Sequence, residues 1–173
     1  IYSSDQGFFT GEHGWAEKRW MYEESFKSPL IMRWPGKISP GSKIIKLVQN
    51  IDLAPTFLKA SGLPVPNSIH GLALQPLFSK EYNFPWRKDI LYQYFDGGTP
   101  EKRGPYNMPR HEGIRDERYK LISFYEFNQW EFYDLENDPN ELNNLFRKKQ
   151  FKPEIKRLQQ RLLILKDNFF KND

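Results

Sequence analysis

Ile155, Leu158, Leu162, Leu165 and Phe169 recur at spacings of three and four residues, and this stripe constrains the fold more than any other feature of the chain. Such spacing puts an apolar stripe along one side of a helix. It is too short for a coiled coil, which needs heptads sustained over several repeats, so the stripe must be covered by another element. The preceding segments supply a cover. Ile90 to Phe95 is a β-rich run, His111 to Arg115 and Tyr119 to Tyr125 flank the turn Asp116-Glu117-Arg118, and Trp130 to Leu135 follows as a further strand. The expectation is a small antiparallel sheet packed by a C-terminal helix.

The N-terminal part reads differently. Ile1 to Ser4 is expected to be the end of a buried strand with Asp5 at its C-terminal edge, where sites gather in open α/β sheets. Phe8 to Glu17, rich in Gly and aromatics, reads as a site-lining loop rather than a regular element. Pro29 to Trp34 reads as a short apolar strand stopped by Pro35-Gly36. Asp52 is placed to cap a helix over Leu53 to Ser61, with Pro55 tolerated in its first turn and Gly62 closing it. The Pro-punctuated stretch Leu63 to Ser79 divides the chain into residues 1–79 and 80–173. Gly97 to Pro109 reads as a long surface loop.

Composition excludes more than it identifies. A hydrophobic share of 38% with 16% aromatics is enough for a packed core and argues against disorder. No apolar run approaches the roughly 18 residues of a membrane span. The net charge of +4 suits an anionic ligand and suits an ordinary basic protein equally, and much of the excess falls between Arg147 and Lys171, where it is expected on a solvated helix face. That tail lacks the interleaved aromatics and recognised motifs of a nucleic-acid site. With no cysteine, there is no disulfide within the chain.

The chemistry concentrates near the N-terminus. Asp5-Gln6-Gly7, then Gly11-Glu12-His13-Gly14, then Lys18 place a carboxylate, an amide oxygen and an ammonium within a short stretch. Asp and Gln offer the hard oxygen donors that Ca²⁺ or Mg²⁺ prefers, and a nearby lysine suits an anion bridging to such an ion. Taken alone, an Asp-Gln pair is more often a turn.

The surroundings change that balance. Ser4 through Gly14, Lys18 and Met21-Tyr22-Glu23-Glu24-Ser25-Phe26 resemble the formylglycine-dependent type I sulfatases of the alkaline-phosphatase-like superfamily. So do Pro29 to Gly36, Asn50 to Thr56, His111-Glu112-Gly113-Ile114-Arg115 with Arg118 to Ile122, and Trp130 to Pro139. The last two blocks look most like N-acetylglucosamine-6-sulfatase-type glycan sulfatases. The resemblance implies an α/β fold, here the C-terminal part of the sulfatase fold, with residues 1–79 finishing the catalytic domain and 80–173 forming a small α+β subdomain.

It also implies roles. Asp5 and Gln6 would ligate Ca²⁺, with Mg²⁺ as the alternative. Lys18 would contact a sulfate oxygen and stabilise the transition state, and His111 and Arg115 would lie near the substrate pocket. Such a protein hydrolyses a sulfated saccharide or other sulfate ester, in a periplasmic, secreted or lysosomal setting. The nucleophile of the family is a formylglycine made from Cys or Ser in a Cys/Ser-x-Pro/Ala-x-Arg motif. No residue here stands in that context. The modification and the remaining metal ligands are therefore expected in an upstream part of the same enzyme, and the chain alone is expected to be inactive. Two alternatives stand beside this reading: a metal-dependent phosphatase or phosphodiesterase of the same superfamily, and a non-catalytic glycan- or protein-binding module.

Several residues have plainer accounts. His13 is expected to order its loop, and His70 to be no ligand. Phe8, Phe9, Trp15 and Trp20 suit either sugar stacking or packing against the body of the enzyme. Arg118, Tyr119 and Lys120 read as hairpin structure.

Overall fold

The computed structural model describes residues 1–79, 84–96 and 108–171. In chain order its elements are β1 (Tyr2–Ser3), β2 (Phe9–Thr10), β3 (Ala16–Glu17), α1 (Glu23–Phe26), β4 (Leu30–Ile31) and α2 (Leu53–Ala60). There follow β5 (Asp89–Tyr94), β6 (His111–Asp116), β7 (Tyr119–Phe124), β8 (Gln129–Asp134) and α3 (Lys152–Lys171). It is an α/β fold ending in the expected antiparallel sheet and helix.

The sheet runs in the order β5-β6-β7-β8, each strand antiparallel to the next. Its register follows from the turns. The Asp116 carboxylate accepts the backbone N–H groups of Arg118 (2.9 Å) and Tyr119 (2.6 Å), which folds the chain back between β6 and β7. Asn128, at φ 51°, takes the left-handed position that starts β8.

Alternation then sends side chains to two faces. Ile114, Leu121 and Phe132 meet Ile155, Leu158 and Leu162 of α3, so most of the apolar stripe is spent on this contact. Phe169 leaves the stripe and lies against His70, with ring centroids 5.0 Å apart. The helix is also tied by charge: Arg161 to Asp89 (2.6 Å), Arg157 to Asp116 (2.6 Å) and Lys166 to Glu112 (2.7 Å). The basic residues expected on a solvated face are thus partly consumed by carboxylates of β5 and β6.

The opposite face carries Ile122, Phe124 and Tyr133, and it is covered by Phe9, Trp20, Met21 and Tyr22 from the N-terminal part, with Met108. Gly113 lets this segment approach, since a β-carbon there would stand 2.5 Å from the Met21 sulfur. One packed layer therefore joins residues from both sides of the boundary at 79–80, whose second side begins in residues outside the described ones.

Ile1 and Tyr2 are 57% and 66% exposed where β1 pairs with β4, so the cover expected of a buried strand end is not supplied by the described residues. Two expectations are corrected. Phe8 to Glu17 is not wholly irregular: β2 and β3 pair across a 3₁₀ turn at Glu12–Gly14. Asp52 precedes α2 without capping it: its buried carboxylate accepts the N–H of Gln49 (2.8 Å), closing the 3₁₀ turn at Asn50–Asp52, and reaches the Leu72 N–H (2.7 Å) and the guanidinium of Arg87 (2.6 Å). Gly62, at φ 73°, closes α2 as expected. The loop read over Gly97 to Pro109 lies mostly outside the described residues.

Candidate functional site

Asp5 follows β1, and its carboxylate, 72% exposed, forms an ion pair with the Lys18 ammonium. The hydrogen bond from Lys18 and a second from the Gln6 backbone hold the Asp5 carboxyl below the usual carboxylate range. The Asn50 amide donates to the Asp5 carbonyl oxygen, which anchors the strand end to the segment leading into α2. Ser4 Oγ donates to the Gln6 carbonyl at 2.7 Å.

Ser25 explains why residues thirteen apart in sequence meet. Its carbonyl accepts the Gly7 N–H (2.8 Å), and its hydroxyl oxygen accepts the Arg19 N–H (2.8 Å). Both limbs of the loop are moored to this one buried residue, immediately after Asp5-Gln6 on one side and immediately after Lys18 on the other. Lys18 also sits between Glu17 (φ 82°) and Arg19 (φ 86°), two non-glycine residues in the left-handed region. Such conformations cost on the order of 1–3 kcal/mol each and persist only where neighbours over-determine them.

His13, also left-handed at φ 54°, stacks on Tyr22 with ring centroids 4.7 Å apart and places Nε2 3.5 Å from a Glu24 carboxylate oxygen. Phe9 and Trp20 are buried in the core, whereas Phe8 and Trp15 remain exposed.

His111 and Arg115 share the β6 face that meets the N-terminal segment. His111 is fully buried, ringed by Trp20, Tyr92, Tyr94 and Phe124 at centroid distances of 5.4–5.7 Å. Nδ1 pairs with the Pro109 carbonyl (2.9 Å), Nε2 has no hydrogen-bond partner among the described residues, and burial pushes the imidazole pKa down. Tyr92, beside it, donates its hydroxyl proton to the Arg19 carbonyl. Arg115 bonds to Glu23 through Nε (3.1 Å). The structure thus joins Asp5 and Lys18, turns the half-buried Gln6 side chain toward the Tyr92 hydroxyl, and sets His111 and Arg115 in the layer behind the loop.

Among the described residues no group of three or more His, Cys, Asp or Glu side chains converges to hold a metal. Asp5 and Gln6 have the chemistry of a Ca²⁺ site but can supply only part of the roughly 6–8 oxygens that ion takes. As ligands they would form one edge of a shared site.

Sequence reasoning gave Ser25 and Asn50 no role of their own and took Lys120 as hairpin structure. Ser25 and Asn50 stand inside blocks already singled out, but nothing in spacing assigns them partners. Lys120 reads as a hairpin residue and is in fact completely buried.

A family profile described as N-sulphoglucosamine sulphohydrolase, C-terminal, matches residues 11–168. An N-acetylglucosamine-6-O-sulfatase of Bacteroides thetaiotaomicron is 43% identical over 176 residues, spanning 100% of this chain and 31% of that protein. A solved structure described as in complex with its substrate D-glucosamine-2-N,6-O-disulfate superposes with TM-score 0.87 at 41% identity, covering 99% of this chain and 34% of the other. A phosphonate monoester hydrolase from Silicibacter pomeroyi shares the fold, with TM-score 0.82 at 24% identity over 96% of this chain and 34% of its own. The chain spans about a third of the length of these relatives.

Proposed function

Since this chain belongs to the sulfatase family marked by the N-sulphoglucosamine sulphohydrolase C-terminal domain, we propose that it serves a sulfuric ester hydrolase acting on a sulfated saccharide. The observation that carries the reading is the Asp5–Lys18 ion pair, presented by a loop moored on both sides to Ser25. That arrangement puts an anionic oxygen donor and a fixed cation at one exposed point.

In this proposal Asp5 and Gln6 hold one side of a Ca²⁺ ion, with Mg²⁺ as the alternative. When bound, that ion supplies Lewis-acid polarisation of the sulfate group. Lys18 donates to a nonbridging sulfate oxygen. Its ammonium is held by strained backbone and needs little reorganisation as charge develops, which is the condition for stabilising a transition state more than water does. The nucleophile, a formylglycine, is assigned to an upstream part of the same enzyme. His111 and Arg115, expected near the substrate pocket, are proposed to back the site instead: His111 is sealed among Trp20, Tyr92, Tyr94 and Phe124, and Arg115 is tied to Glu23. Residues 1–79 are proposed as the end of the catalytic domain and 80–173 as the subdomain that backs it. A periplasmic, secreted or lysosomal setting is proposed from family membership alone.

The substrate class is proposed from the two most similar proteins described above, whose names specify glucosamine sulfates. The test is turnover of glucosamine 6-sulfate against a phosphate monoester by the intact enzyme. Sulfate release with little phosphate release is expected. The opposite preference sinks the proposal.

A further inference from the structure

Glu23, Arg115, Lys120 and Glu141 form a buried cluster that lies outside the candidate site. Lys120 of β7 is completely buried, and its ammonium donates to the Met21 carbonyl (2.6 Å) and pairs with Glu23 (2.9 Å) and Glu141 (2.8 Å). The Phe26 ring lies 5.5 Å from it. Glu141, in the left-handed region at φ 53°, accepts the Glu23 N–H with its other oxygen (2.6 Å). Arg115 of β6 completes the set through Glu23. Two carboxylates balance two cations.

Burying ions costs several kcal/mol each before their mutual attraction is counted, and well-packed apolar replacements are often as stable. Stability is therefore a poor reason for such a cluster, and conformational specificity a better one. Apart from the Lys120–Glu141 pair, its bonds end on Met21 and Glu23, in the segment between Lys18 and the mooring residue Ser25. Apart from these bonds the sheet holds the stretch through two hydroxyls, Tyr92 to the Arg19 carbonyl and Tyr22 to Glu131 (2.7 Å), and through apolar contact, which is non-directional.

We propose that the Lys120-centred cluster is a positioning device that sets the α1 turn, and through Ser25 the distance between Lys18 and Asp5-Gln6. The proposal rests on the functional reading above for its effect on turnover. Its effect on the loop is independent of that reading.

The test uses the intact enzyme carrying Lys120→Met with Glu141→Gln, which removes one charge of each sign and keeps an acceptor for the Glu23 N–H. The expected result is a melting temperature within a few degrees of wild type, KM little changed and kcat lowered about 10²-fold, the scale of a misplacement near 1 Å. Tryptic cleavage after Lys18 and Arg19, followed by mass spectrometry, should accelerate relative to other sites. If the double variant does not fold, Glu23→Gln carries the same readouts, with about a tenfold loss. Unchanged kcat and unchanged cleavage in a folded variant overturn the proposal. A wild-type enzyme that turns over no sulfated sugar overturns the functional reading instead, and the cleavage comparison still decides this one.

Discussion

Gly7 presses against Glu24 so closely that any β-carbon at position 7 would overlap the Glu24 carbonyl oxygen and stand 2.8 Å from that of Lys27. Glycine is demanded here by space. Gly7→Ala should push the Asp5-Gln6 limb off the α1 turn and away from Lys18, lowering kcat of the intact enzyme about 10²-fold. Calcium titration calorimetry should show weakened binding in the same variant. Unaltered calcium affinity would count against Asp5 and Gln6 as ligands.

Lys18→Ala removes the ammonium and leaves the loop moored through Ser25. An exposed ion pair contributes little to stability, so the melting curve should superimpose on that of wild type. Turnover should fall about 10²–10³-fold, the loss seen when a preorganised charge-stabilising donor is deleted. Steady-state kinetics at saturating substrate separate this from weaker binding.

Acid should loosen the β7–β8 edge. The hydrogen bond from Arg118, partly offset by burial and aided by Asn137, holds the Asp134 carboxyl below its ordinary value. A depressed carboxyl pKa stabilises the fold above the unfolded value, near 3.9, and that contribution disappears as pH falls through the folded value. Asp134→Asn should therefore melt below wild type at pH 7, and the two curves should converge once the pH has fallen through the folded value. Parallel curves across that range would remove Asp134 from the account.

Leu158 is fully buried where α3 meets Ile114, Leu121 and Phe132. Leu158→Ala should cost about 2–5 kcal/mol, depending on how far the cavity collapses. Urea denaturation measures it directly, and a loss under 1 kcal/mol would mean that the helix is held chiefly by its three ion pairs to β5 and β6.

The sheet and α3 were legible because their patterns are local. Alternation over β6 and β7, a turn-forming Asp116 and a stripe at helical spacing need no knowledge of distant partners. Lys120 was not legible for the opposite reason. A lysine in a strand reads as solvent-facing, and the carboxylates that bury it lie far along the chain at Glu23 and Glu141. Asp52 shows the same limit, since an aspartate before a helix reads as its cap, while its guanidinium partner Arg87 follows 35 residues later. At the candidate site the residue types of Asp5, Gln6 and Lys18 were informative. The approach of Asp5 to Lys18 followed from the family resemblance and not from spacing, because it depends on Ser25.

The separations within the Lys120 cluster bear on the order in which the molecule assembles itself. Hydrogen bonds there join residues 99 and 118 positions apart, whereas β5 to β8 are neighbours in sequence and in space. Ring closures that long are entropically slow, so a refolding chain should complete its hairpins early and acquire the Asp5–Lys18 geometry late. During that interval the protein would have most of its secondary structure and no competence for chemistry, a window in which a chaperone or a protease would meet it first.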